Sequence, residues 1–166
     1  MTLTPYPEYQ DSGVDWLGDI PSHWEAHKLK YVSQKIIGGS TPPKDSVYWD
    51  GNIIWVTPED ISRNDRIRKS RRTITQAGLL ACSSVLVPAG SIILTSRAPV
   101  GNVALAEAEL CTNQGCKTIV VDPSTFDSLY GFFLISSLKN ELQSLSKGTT
   151  FYEISTSVLA NVFIPL

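Results

Sequence analysis

A chain of 166 residues, 42% hydrophobic and 18% charged, can bury a sizeable core and has the composition of an ordinary globular protein. It has no apolar run near the ~20 residues a membrane helix needs, and its first residues lack the basic and apolar regions of a signal peptide. Three cysteines, an odd number, argue against a disulfide framework and for a reducing compartment, so the expected location is cytoplasmic.

The net charge of −2 hides an asymmetry. Residues 63–72, RNDRIRKSRR, hold six Lys or Arg and one Asp, while the remainder of the chain is net acidic at −7. An acidic body with one concentrated basic segment points to a localised anionic partner such as a phosphate backbone. The blander reading is a solvated strand or loop that keeps a sheet edge soluble.

The pattern predicts one domain over 1–166: a surface lead-in at 1–25, a mainly β region at 26–121, and a helical region with a terminal strand at 122–166. Residues 1–25 carry five acids and no Lys or Arg. Pro5, Pro7 and Pro21 are expected to break any regular element there, leaving Trp16, Leu17, Ile20 and Trp24 as anchors. Leu29, Val32 and Ile36 are spaced for a short helix passing into a strand. Gly38-Gly39-Ser40-Thr41-Pro42-Pro43 forces an irregular turn. Asp50-Gly51 reads as a turn feeding a strand to Val56. Thr57-Pro58-Glu59-Asp60 has the order of a helix start, with Thr as N-cap, Pro at N1 and an acid at N3. Thr75 is placed to cap a helix over 76–82.

Residues 91–121 organise the rest: three apolar runs, at 91–95, 103–106 and 117–121, joined by polar turns. A long helical segment is predicted to start at Asp122-Pro123-Ser124, with Leu129, Phe132, Phe133, Leu138, Leu142 and Leu145 on its apolar face and a break near Ser136-Ser137. Gly148 is a C′ candidate, Ser155 a cap for a last short helix, and 162–164 a terminal strand. The elements are interspersed irregularly, so the fold class is α+β: an irregular mixed sheet with several short helices.

No catalytic constellation assembles from these residues. Phosphate-binding and dinucleotide glycine motifs and a GxSxG elbow are missing from the sequence. His23 and His27, with Cys111 and Cys116, have spacings that match no zinc finger, and buried structural cysteines are far commoner. A binding surface has better material. Arg97, Asn113, Gln114 and Lys117 are types that contact base edges and phosphates, and Thr149, Thr150 and Tyr152 can donate to phosphate oxygens. Lys44 and the segment Arg63, Arg66, Arg68, Lys69, Arg71 and Arg72 complete the candidate DNA-binding set. Asn and Gln in turns more often bond their own backbone, which is the competing reading.

Six motifs run through the chain in order: the lead-in from Gly13 to Trp24, Gly38-Gly39-Ser40-Thr41-Pro42, Tyr48-Trp49-Asp50-Gly51 through Trp55-Val56-Thr57, Ser96-Arg97-Ala98-Pro99-Val100-Gly101, Thr112-Asn113-Gln114-Gly115, and Gly148-Thr149-Thr150-Phe151. Taken together, they resemble the target recognition domain of a type I restriction-modification DNA specificity subunit. Each alone is weak; six in the family's order are specific. Cys116 departs from the pattern, where the family often has an aromatic.

The resemblance implies a non-catalytic module that recognises one half of a bipartite double-stranded DNA target. It would do so alongside a methyltransferase (modification) subunit and, through it, a restriction subunit. It also implies a second recognition domain or a homodimer, and no cofactor: S-adenosylmethionine and ATP belong to the other subunits. Where the family continues into a spacer helix this chain stops at Leu166, so a fragment and a half-subunit are both open. Two other readings compete: a protein-interaction module docking onto a methyltransferase subunit, motivated by the acidic lead-in, and a metal-dependent nuclease.

Overall fold

The acidic lead-in folds back on itself despite its prolines. In the computed structural model, which describes residues 4–146 and 153–166, β1 (Tyr9–Asp11) and β2 (Asp19–Pro21) form an antiparallel hairpin. Pro21 is tolerated because β2 is an edge strand of this two-stranded sheet, where a missing N–H need not break a ladder. Ile20 is buried, Trp16 packs against the main core, and Trp24 meets Tyr130 edge to face at 5.9 Å. β3 (Ala26–Lys28) then runs into α1 (Leu29–Val32) and β4 (Ser33–Gly38), the predicted helix-to-strand passage.

β5 (Trp49–Val56) corrects the Asp-Gly reading. Those residues do not turn the chain ahead of a strand; they form an irregularity inside one, where the register against its neighbour shifts between Trp49 and Ile53. Asp50 takes the left-handed conformation, with φ 58°, one that Asp tolerates better than most side chains. α2 (Pro58–Arg63) follows its expected start. The Asp60 carboxylate accepts hydrogen bonds from the Thr57 amide at 2.9 Å and the Thr57 hydroxyl at 2.7 Å.

The basic segment then supplies two short strands, β6 (Arg66–Ile67) and β7 (Arg72–Ile74). α3 (Gln76–Leu80) is capped by Thr75 as expected and ends two residues early. β8 (Ile92–Thr95), β9 (Val103–Ala106), β10 (Cys111–Thr112) and β11 (Cys116–Val121) come next.

The first long helix, α4 (Ser128–Ser137), starts later than Asp122. Asp122 instead holds a turn by accepting from the Ser124 amide and hydroxyl. Asp127 is the N-cap, taking the amides of Leu129 and Tyr130. The break before α5 (Lys139–Leu145) falls at Leu138. The apolar face holds in part: Leu138 and Leu142 are buried as expected and are joined by Gly131 and Ile135, whereas Leu129 and Phe133 are exposed, Phe133 at 61%. α6 (Thr156–Ala160), capped by Ser155, precedes β12 (Phe163–Pro165). Gly148 lies outside the described residues.

The central sheet has the order β4-β11-β8-β9-β6 and is mixed, because β6 runs parallel to β9 while the other neighbours are antiparallel. Its three central strands are buried along their whole lengths, as continuous apolar runs predict for strands covered on both faces. Period-two alternation divides their side chains. Ile92, Leu94, Leu105, Ile119 and Val121 pack with Leu29, Ile135, Leu142 and Leu159 on the helical side. Ile93, Ala104, Ala106 and Val120 pack with Val56, Ile61 and Ile67 on the other.

A three-stranded sheet, β10-β5-β7, carries a smaller cluster around Trp49, Trp55, Ile74 and Cys111. β12 pairs with β3, joining the last strand to the first third of the chain.

Candidate nucleic-acid interface

The basic segment makes an edge of each main sheet: β6 closes the five-stranded sheet and β7 the three-stranded one. Its backbone is anchored at two points. Ile67 is fully buried, a contribution of about 2 kcal/mol, and the Arg71 amide donates to Asp60 Oδ1 at 3.0 Å. Between these anchors the cationic side chains stand outward.

The pairing of those cations is two to one. Period two along a strand puts Arg66 and Arg68 on the face opposite Ile67. There Glu107 accepts Arg66 Nη1 at 2.9 Å and Arg68 Nε at 2.5 Å. Both guanidiniums, that of Arg66 foremost, hold the Glu107 carboxyl below its ordinary range. Helical i,i+4 spacing brings Arg63 to Glu59 at 2.8 Å, and Arg71 takes the second oxygen of the same carboxylate. Lys69 and Lys44 are exposed and make no ion pair among the described residues. Asp60, Asn64, Arg66, Arg68, Lys69, Ser70, Arg71 and Glu107 line a concave groove of about 420 Å³.

Arg72 is held differently. Its guanidinium lies 3.5 Å from the Trp49 ring centroid and 5.8 Å from that of Trp55, and the two indoles meet edge to face at 5.0 Å. Trp49 Nε1 donates to the Pro43 carbonyl and Trp55 Nε1 to that of Ser40. The loop carrying Lys44 is therefore tied to the same small sheet as Arg72.

The other expected residues are engaged by the protein itself. The Asn113 side chain accepts from the Gly115 amide at 2.9 Å, so it closes its own turn, the competing reading given for turn Asn. Gln114 is exposed and accepts from the Thr41 hydroxyl. This contact joins the Gly38–Pro43 and Thr112–Gly115 turns. Lys117 is 8% exposed, and its ammonium reaches Glu153 at 3.2 Å and Ser96 Oγ at 3.4 Å. It was expected to face a ligand; the alternation along β11 points it into the protein. Arg97 pairs with the same Glu153 at 2.9 Å. Thr149, Thr150 and Tyr152 lie outside the described residues.

His23, His27, Cys111 and Cys116 are not brought together. His23 packs on Tyr6 and Trp24, and the cysteines belong to separate clusters. Burial pushes the Cys111 thiol up to about 12 and raises that of Cys116 further, so both behave as small core residues.

What sequence reasoning missed is the carboxylates. Glu59 had a local signal, its i,i+4 relation to Arg63. Glu107 and Glu153 had none, because their partners are 36 to 56 residues away in sequence.

Glu153 yields a pH prediction. Burial opposes its charge, but hydrogen bonds from Arg97 and Lys117 outweigh that and set its carboxyl below the ordinary value of 4.5. A carboxylate depressed in the folded state adds stability above its unfolded pKa and loses it as pH falls through the folded one. Stability should therefore decline from about pH 5 downward, and Glu153→Gln should flatten part of that decline. The substitution should also cost about 2 kcal/mol at pH 7 by leaving the buried Lys117 charge poorly paired. Urea melts at pH 7 and pH 4 read both effects; an equal loss at the two pH values would dismiss the pairing.

Fold and groove together define a mixed α+β module with one cationic face. The chain belongs to the type I restriction modification DNA specificity domain family, whose model matches residues 21–166. It is 40% identical over 153 residues to the type I restriction enzyme MjaIX specificity subunit of Methanocaldococcus jannaschii, covering 90% of this chain and 35% of that one.

Among solved structures, one described as showing complex assembly and conformational transition of the type I R-M system aligns with TM-score 0.69 and 25% identity. It covers 90% of this chain and 35% of its own. The HsdS subunit from Thermoanaerobacter tengcongensis shares the fold at TM-score 0.67 and 22% identity, covering 95% and 35%. The chain thus spans about a third of the length of the relatives it matches.

Proposed function

We propose that residues 1–166 act as one non-catalytic recognition domain that binds double-stranded DNA and reads one half of a bipartite target. In this reading the domain serves a cytoplasmic restriction-modification assembly. A methyltransferase subunit docks on it, a restriction subunit joins through the methyltransferase, and a second recognition domain or a second copy reads the other half-site. The observation that carries the reading is the anchored basic segment, which edges two sheets and places Arg66, Arg68, Lys69 and Arg71 around a groove, in a chain of the DNA specificity family.

Edge protection alone would account for one or two charges. It does not account for guanidiniums aligned in pairs beside a concavity. Arg63, Arg66, Arg68, Lys69, Arg71, Arg72 and Lys44 form the proposed DNA-contacting set, with Gln114 at its margin. Arg97, Asn113 and Lys117 support the turns behind it. Thr149, Thr150 and Tyr152 remain part of the proposal through their residue type alone.

The test is duplex binding as a function of salt. Replacing Arg63, Arg68, Lys69 and Arg71 together by Gln should weaken binding about 100-fold near 0.1 M salt and flatten the slope of log affinity against log salt by about 3.5. Unchanged affinity and slope would refute the assignment of this face.

A further inference from the structure

Negative charge at an anion-binding groove opposes binding, yet Glu107 lines this one and Glu59 pairs with Arg71 on its wall. Each is shared by two arginines, and each pair is bridged by single hydrogen bonds: Arg63 and Arg71 to Glu59, Arg66 and Arg68 to Glu107. A free Arg side chain carries considerable rotamer entropy, and its five-donor fork recognises an acceptor pair only when its plane is fixed. One bond to a carboxylate narrows the orientations open to that plane and leaves four donors for a ligand.

Glu107 is itself fixed, since its amide donates to the Ile67 carbonyl at 2.9 Å, between the two arginines it holds. Glu59 is set by α2, whose start is locked by Thr57 and Asp60. The remaining charge is +1 per trio, enough to attract phosphate while ruling out a loose cationic brush.

Resting on the proposed DNA reading, we propose that Glu107 and Glu59 are positioning residues for target discrimination. They lower the raw affinity of the face for any duplex and hold its guanidiniums in the register that distinguishes one sequence from another. The proposal separates two quantities that simple charge counting merges. Deleting a carboxylate should strengthen binding to arbitrary DNA and erode preference.

The experiment uses the full chain and two probes: a pool of 30-base-pair duplexes with randomised centres, and the duplex enriched from it by repeated rounds of capture on the wild-type protein. For Glu107→Gln, affinity for the unselected pool should rise, while the ratio of the two affinities falls about tenfold, the scale of one lost bidentate contact. Glu107→Asp, which keeps the charge, should restore part of the ratio. Glu59→Gln, at a more exposed carboxylate, should lower the ratio as well and guards against a folding defect in the first variant. Asp15→Asn, in the lead-in, removes the same charge elsewhere and should leave the ratio unchanged.

A ratio within twofold of wild type in both Gln variants overturns the inference while leaving the DNA reading standing. If the wild type enriches no duplex over the pool, both fall together. A drop in ratio that Asp15→Asn reproduces would reduce the effect to net charge and also overturn it.

Discussion

Replacing Gly39 by alanine should destabilise the protein by about 3 kcal/mol or more, whereas the same change one residue earlier should be nearly silent. A Cβ at position 39 would sit 1.9 Å from the Thr112 carbonyl oxygen and 2.4 Å from its hydroxyl. The carbonyl cannot yield, because it already accepts the Ser40 amide and the Ser84 hydroxyl. At Gly38 the added methyl would meet only the flexible Lys117 side chain, at 3.5 Å, an ordinary contact. Urea denaturation of the two variants measures the difference; similar midpoints would show that the two turns do not pack as described. The contrast explains why Gly38–Pro43 and Thr112–Gly115 occur together as motifs: they are two halves of one close backbone approach.

Asp60→Ala should cost about 3 kcal/mol and loosen the basic segment at the same time. Asp60 is 3% exposed and its two oxygens accept three hydrogen bonds, from the Thr57 amide, the Thr57 hydroxyl and the Arg71 amide. Alanine leaves these donors without a partner in a space that water enters poorly, at about 1 kcal/mol or more each. Asp60→Asn keeps the shape and one acceptor, so it should lose about half as much. The reach to Arg71 adds a second readout. Amide exchange in residues 68–72 should accelerate in Asp60→Ala beyond what the global stability loss predicts. A loss below 1 kcal/mol with unchanged exchange would reject Asp60 as the link between helix and segment.

Gly39 meets a residue distant in sequence, while Asp60 joins a local helix start to the segment that follows it. Together they divide what could be read from what could not. The apolar strands at 92–95, 103–106 and 116–121, the Thr57 and Thr75 helix starts and the helix-to-strand passage after Leu29 are local events. Their periodicity and capping chemistry are written in adjacent residues, and the structure has them within a few positions. Asp50-Gly51 misled because a left-handed residue serves a hairpin turn and a strand irregularity equally well. Asp122 misled because a carboxylate that closes an Asx turn looks the same in sequence as one that caps a helix. The Asp127 carboxylate, by contrast, accepts the amides both two and three residues ahead, those of Leu129 and Tyr130.

The basic segment, the chain's most visible feature, was found by counting charge. Sequence by itself determined its existence, the α+β class and the order of the family motifs, because each depends on composition or on neighbours within a few residues. Tertiary structure alone decided that the segment edges two sheets, that Lys117 turns inward to Glu153 while Arg68 turns outward to Glu107, and that two glutamates each hold two arginines. Those outcomes depend on strand register and chain reversal. A one-residue shift in register exchanges the two faces of a strand, and nothing in a run such as RNDRIRKSRR records which carboxylate, forty residues on, will close over it.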